Sequence, residues 1–294
     1  MKFQVSLLIP LVCAFVYVIG ALAVKRAAVC GVGIWRTSFL SNWALAFLFL
    51  PVGFWAGWSN RPVADYGQPA ATALLFLGGQ ALTFLALSRG DVSVVTPVMG
   101  TKVVLVALFS AVLQIGAVPL QWWRGAALST VAIGLLHLGH GGRHRHVGST
   151  ALIAFGSAVS FSLGDVLLQK WLPVWGAVHF LPPMFLLVGL FSFAFVPFFR
   201  APLAALDGAA WRWSGAGAVL MALNNAGVIL AIGVVGSATA VNIVYSVRGL
   251  LSVLLVWTVG HWFTSDERTL GGGVLRLRLV GAGLMVLAIV LVLA

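Results

Sequence analysis

Stretches of about 20 apolar residues recur along this chain, and a helix of that length spans ~30 Å, the hydrocarbon thickness of a bilayer. Ten such runs are legible, near residues 4–24, 34–57, 69–88, 92–113, 120–139, 150–169, 178–199, 214–234, 238–260 and 276–294. They predict an all-α integral membrane protein with ten transmembrane helices. Trp35, Trp55, Trp58, Trp122, Trp123, Trp171, Trp175, Trp211, Trp213 and Trp262 fall near run ends, where an aromatic belt at the head groups belongs. The polar stretch near mid-chain, Gly139-His140-Gly141-Gly142-Arg143-His144-Arg145-His146-Val147-Gly148, divides the runs into two sets of five.

The two sets resemble each other. A shift of 144 carries Cys13–Arg26 onto Ser157–Lys170, matching Ala14 with Ala158, Tyr17 with Phe161, Ile19 with Leu163, Gly20 with Gly164 and Arg26 with Lys170. A shift of 146 carries Gly90–Thr96 onto Gly236–Asn242 and Lys102 onto Arg248. Because five is odd, the second set enters the bilayer inverted relative to the first. The expected organisation is a first five-helix repeat over 1–139, a basic linker over 140–149 and a second, inverted five-helix repeat over 150–294. Inverted repeats commonly hold a site at their interface near the midplane. The match to mid-chain also argues that residues 4–24 are a first helix and not a removable leader.

Composition agrees with a membrane class. Of 294 residues, 61% are hydrophobic and 8% charged, and mean hydropathy is +1.08, where a soluble domain carries about 25% charged residues. The net charge of +11 sits mainly at run ends, so it points to anionic lipid head groups and not to nucleic acid. Two cysteines, Cys13 and Cys30, make no disulfide framework.

The exceptions to apolarity carry the candidate chemistry. Arg248 lies deep within Ala238–Val259 and Lys102 equally deep within Val92–Leu113. A charge at that depth costs about 2.5–3.5 kcal/mol on insertion scales, which marks a functional site or a structural lock. On one continuous helix Asn242, Tyr245, Arg248, Gly249 and Ser252 share an arc facing the bundle interior. Pro97, five residues before Lys102, frees a carbonyl and weakens that helix. Asp165 is the carboxylate that falls inside a run, either as a proton-coupling group or as the counter-ion of Lys102 or Arg248. Asn224, Asn225 and Gln80 are amides that either contact substrate or hold helices together, and Tyr17 and Tyr245 complete the candidate cavity wall. Arg36 reads as an interface anchor. His137, His140, His144 and His146 read as a solvated linker, since Arg143 and Arg145 repel a cation, and no metal is expected.

These features point to a secondary transporter that holds a small, anionic metabolite between its halves, with Lys102 and Arg248 at the site. No phosphate-binding loop of the nucleotide type is present. No second acid stands at the depth of Asp165, so neither an enzyme nor a cofactor is expected.

Phe84-Leu85-Ala86-Leu87-Ser88-Arg89-Gly90-Asp91-Val92-Ser93-Val94-Val95-Thr96-Pro97 resembles the third-to-fourth helix junction of the drug/metabolite transporter superfamily, in its EamA-like ten-helix members. Gln121-Trp122-Trp123-Arg124-Gly125 and the duplication support that resemblance, which covers essentially the whole chain. Where the family usually has a glutamate after its fourth and ninth helices, this sequence has Gly116 and His261. The resemblance implies a multi-pass protein of the bacterial inner membrane with both termini in the cytoplasm. It implies an anionic substrate by likeness to the phosphate and nucleotide-sugar branches, and export of amino acids or cationic and hydrophobic compounds by likeness to others. A lipid-handling membrane protein is the alternative from another class. Charge bias points to the other orientation: ten basic residues in the odd-numbered connections against four on the opposite face favour termini outside.

Overall fold

The structure is a computed structural model that describes residues 5–89, 92–137, 147–259 and 272–293. Among these residues the chain is helical with no strand. The helices are α1 (Leu8–Val29), α2 (Ile34–Ala56), α3 (Gly67–Arg89), α4 (Val92–Gly100), α5 (Lys102–Val112), α6 (Leu120–His137), α7 (Val147–Trp175), α8 (Ala177–Phe191), α9 (Gly208–Val235), α10 (Ala238–Tyr245), α11 (Arg248–Val259) and α12 (Gly272–Leu293). Short 3₁₀ turns precede α3 and follow α8. Among the described residues seven stretches are long and apolar enough to cross a membrane: α1, α2, Val63–Arg89, Val94–Val112, Gly148–Trp175, Ala177–Phe198 and α9. This is the make-up of a multi-pass membrane protein. The junction residues Gly90 and Asp91, the linker with His140, His144 and His146, and His261 lie outside the described residues, as does the side chain of His137.

Short connections force successive spanning helices to reverse direction. One end of the bundle therefore carries the α1–α2 connection and the other the α2–α3 connection. The turn between α9 and α10 is set by two residues: Gly236 takes a left-handed φ of +71°, and the Ser237 hydroxyl accepts from the Ala240 N–H at 3.2 Å.

Packing is organised in pairs. α1 lies along α9, α3 along α7, α2 along α8 and α6 along α12. Glycines permit the close approaches. A Cβ added at Gly125 of α6 would stand 3.2 Å from the Ala288 carbonyl oxygen, and one at Gly281 of α12 would stand 3.0 Å from that of Ala132. One shift of 156 carries Gly125 onto Gly281 and Ala132 onto Ala288, so the two contacts are equivalent. Gly281→Val therefore drives a branched side chain into backbone that cannot yield. Overpacking of this kind costs about 1–3 kcal/mol, and the expected lowering of the unfolding midpoint is read by thermal denaturation in detergent.

Three sequence expectations change. The run read as 150–169 extends to Trp175, because its polar residues find partners within the bundle. Gln169 Nε2 donates to the Ile115 carbonyl at 3.1 Å and its Oε1 accepts from the Ala238 N–H at 2.7 Å. Trp175 is buried and not part of a lipid-facing belt, with its Nε1 donating to Gln68 Oε1 at 2.8 Å. Arg36 is 4% exposed, and its Nη2 donates to the Gly31 carbonyl at 2.5 Å, so it pins the α1–α2 turn from inside.

Candidate functional site

Two of the spans are interrupted at mid-length. The first breaks at Thr101, between α4 and α5, and the second at Ser246 and Val247, between α10 and α11. Thr101 Oγ1 donates to the Val98 carbonyl at 2.7 Å, and Ser246 Oγ donates to the Ile243 carbonyl at 2.6 Å. In both places a hydroxyl takes the carbonyl three residues back and tightens the turn toward 3₁₀ geometry, a local device associated with hinges. The backbone follows, with Thr101 N–H bonding Val98 at 3.1 Å and Val247 N–H bonding Val244 at 3.2 Å. The Gly100 carbonyl is taken up by Thr130 Oγ1 of α6 at 3.2 Å. The single continuous helix predicted over Ala238–Val259 is thus two helices.

Each break delivers a cation. Lys102 opens α5 and Arg248 opens α11. Both stand about ten residues from either end of their spans, ~15 Å by the helical rise.

Their surroundings are related but unequal. Lys102 Nζ lies 5.6 Å from the centre of the Phe161 ring, and the Arg248 guanidinium lies 4.7 Å from that of Tyr17. Phe161 and Tyr17 are the pair matched by the 144-residue shift, so each cation rests on an aromatic ring from the other half of the chain. Gly79 makes room for the Phe161 ring, since a Cβ there would stand 2.9 Å from it. Arg248 has a second ring, Tyr245, at 4.5 Å, and the two tyrosines meet edge to face with centroids 6.2 Å apart. A cation over an aromatic face gains about 0.5–2 kcal/mol, depending on desolvation.

The inequality is in counter-charge. Lys102 Nζ pairs with Asp165 Oδ2 at 2.8 Å, with side chains 17% and 12% exposed. Asp165 Oδ2 also accepts from Asn242 Nδ2 at 2.8 Å. Among the described residues no carboxylate lies within 4.0 Å of Arg248. Asp165 acts on Arg248 only at longer range, so of the two cations Arg248 is the one held by ring faces and not by a carboxylate in contact.

Two cavities meet here. The larger, about 310 Å³, is lined by both cations and Asp165, together with Tyr17, Gln80, Asn225 and Tyr245. Its wall continues through Thr37, Ser38, Ile34 and Phe84 toward the α1–α2 end. A smaller one, about 120 Å³, shares Tyr17, Met99, Lys102, Tyr245 and Arg248 and adds Asn242, Thr96 and Ser252. Both cations thus line both cavities. At the α2–α3 end, contacts tie α7 to the segment before α3. There Arg61 Nη2 donates to the Val174 carbonyl at 2.7 Å, its guanidinium lies 4.9 Å from the Trp175 ring, and Tyr66 meets that ring edge-on at 5.3 Å.

The remaining candidates divide. Asn224 is 2% exposed and lines neither cavity. Turned as its neighbours require, its amide nitrogen donates to the Tyr245 hydroxyl and to the Cys13 carbonyl, both at 2.9 Å, so it orients Tyr245 and ties α9 to α1. Gln80 lines the larger cavity but spends its amide on Asn42, with both hydrogen bonds at 3.0 Å. A double-mutant cycle on Asn42→Ala and Gln80→Ala is expected to give a coupling near 0.6 kcal/mol, the usual size for polar pairs between membrane helices. Chemical-denaturant unfolding of the four proteins measures it.

Asn42, and the hydroxyl wall of Thr37, Ser38, Ser41, Thr72 and Thr83, were not singled out from sequence. An amide in the middle of an apolar run was a usable signal for Asn42. Single hydroxyls in membrane helices carry no comparable signal, because they satisfy themselves on local backbone.

No protein-family model matches the chain, and no curated protein matches it. Among solved structures, 29 chains match. One crystal structure is similar with a TM-score of 0.76 at 18% identity, over 98% of this chain and 98% of that one. That likeness shows a shared fold over the full length of both chains.

Proposed function

We propose that this chain is a secondary transporter of the drug/metabolite transporter superfamily, EamA-like, with ten transmembrane helices arranged as two inverted five-helix repeats. It moves a small anionic metabolite across the bacterial inner membrane by alternating access and performs no covalent chemistry. The pairing of helices supports the repeat. A two-fold relation that exchanges the first helix with the sixth and the third with the eighth turns the α1–α9 contact into the α7–α3 contact, and both are extensive. The equivalent Gly125 and Gly281 contacts, the matched helix breaks and the crossed cation–ring pairs obey the same relation.

One observation carries the functional reading. Arg248 is a permanent cation at mid-depth on the wall of two cavities, with no carboxylate beside it among the described residues. An arginine so placed attracts an anion into the bilayer centre. Lys102 and Asp165 form the adjacent pair, and Asp165 serves as counter-ion or coupling group. A cavity that reaches toward the α1–α2 end is in keeping with one of the two states that alternating access requires. The test is uptake by proteoliposomes of labelled sugar phosphates, carboxylates and amino acids, with counterflow to reveal exchange. Saturable uptake of an anion that Arg248→Ala removes supports the reading. Absence of uptake across the panel overturns it.

The Asp165 carboxylate on the same wall favours a second reading, export of amino acids or cationic compounds. Lys102→Gln separates the two, since it impairs an anion carrier and leaves a cation exporter largely active.

A further inference from the structure

We propose that the place of Asp165 is left without a carboxylate in the other half, at Ala21, and that this leaves the site with one positive charge not in contact with a carboxylate, suited to a substrate bearing one anionic group. This rests on the transporter reading above and names the charge of what that site accepts.

On α7, Phe161, Gly164, Asp165 and Leu168 line the larger cavity. The 144-residue shift returns Tyr17, Gly20, Ala21 and Val24 on α1. Tyr17 and Val24 line the same cavity from the other side; Ala21, one turn beyond Tyr17 and within about 40° of it around the helix, is half-buried and as an alanine lines neither cavity. Asp165 stands one turn beyond Phe161, the ring under Lys102, and pairs with that lysine at 2.8 Å. Ala21 stands one turn beyond Tyr17, the ring under Arg248. By the repeat it takes the position that Asp165 fills in the other half.

The charges then follow. Lys102 is neutralised by Asp165, which Asn242 also holds. Arg248 has no carboxylate in contact among the described residues and shares Asp165 only at longer range, so two cations and one carboxylate leave the wall one net positive charge. A monoanion satisfies it. A dianion brings a second charge that finds Lys102 already engaged, and pays desolvation for a group left without a partner. Restoring symmetry with Ala21→Asp would give Arg248 its own counter-ion and close the site to anions. Removing the asymmetry in the other sense, with Asp165→Asn, would free Lys102 and make two positive charges available.

The experiment is calorimetric titration of the full chain in lipid nanodiscs with benzoate, isophthalate and benzylammonium, one probe each of charge −1, −2 and +1. In the native chain benzoate is expected to bind and isophthalate to bind no more tightly. Ala21→Asp should weaken benzoate by about 30-fold or more, the scale of losing a buried charge partner. Ala21→Asn, of equal bulk and no charge, should weaken it at least about tenfold less than that. Asp165→Asn should reverse the order so that isophthalate binds more tightly than benzoate.

Benzoate binding that needs Arg248 yet is equal in Ala21→Asp and Ala21→Asn overturns the proposal while leaving the anion site intact. So does a native preference for isophthalate, which needs no variant at all. Binding of benzylammonium alone overturns both this proposal and the anionic reading. Should Ala21→Asp fail to fold, the reversal in Asp165→Asn decides.

Discussion

Arg248→Gln is expected to abolish saturable anion uptake and to weaken anion binding by about 2–5 kcal/mol, or ~30-fold and upward. The glutamine keeps some hydrogen-bonding capacity and removes the charge, although it stops short of the guanidinium nitrogens, so Arg248→Lys serves as the control for charge. Three features make the effect large. The guanidinium lies on the wall of both cavities. It packs against Tyr17 and Tyr245 at 4.7 and 4.5 Å, two rings that meet edge to face around it, and so is already oriented before a ligand arrives. No carboxylate within 4.0 Å competes for it among the described residues. Arg248→Lys is expected to recover only part of the binding, because an ammonium does not pack on aromatic rings as a planar guanidinium does and presents no planar fork to a carboxylate or phosphate. Flux measured in proteoliposomes against calorimetric affinity separates the two effects. A variant that binds normally but does not transport would instead assign Arg248 to the hinge between α10 and α11.

Much of this arrangement was legible in the sequence, and the limits have physical causes. Length and apolarity suffice to announce helices, so each apolar run lies on helix among the described residues. The depth of Lys102 and Arg248 followed from counting. The ends of runs were harder. Gln169 and Lys170 look like the close of a span until Gln169 is seen bridging Ile115 and Ala238. The helix breaks were hidden for a related reason. Thr101 and Ser246 are unremarkable in a membrane helix, and whether such a hydroxyl turns back on its own carbonyl depends on the neighbouring backbone. The choice of counter-ion was beyond sequence altogether. Asp165 was within reach of either cation by depth, and only the way α7 packs along α4 and α5 assigns it to Lys102. The repeat nevertheless held one unread clue. Aligning Asp165 with Ala21 already says that only one half supplies a carboxylate.

Asp165→Ala is expected to destabilise the protein by about 3 kcal/mol, the lower end of what is lost when one member of a buried ion pair is removed, because this pair borders a cavity. The pair is close, 2.8 Å, and its members are 17% and 12% exposed. Removing the carboxylate strands the Lys102 charge over Phe161 alone and leaves Asn242 Nδ2 with the Ala238 carbonyl as its partner, at 2.9 Å. Adding Lys102→Met to Asp165→Ala removes the stranded charge, so the double variant should regain most of that stability. Thermal unfolding of the four proteins of this cycle, at fixed lipid and salt, gives the coupling. The same cycle read by transport separates structure from function. If the pair serves only to hold α5 against α7, the double variant should recover anion uptake together with stability. If Asp165 couples flux to a proton or counter-anion, stability returns while gradient-driven uptake does not, and only downhill exchange remains.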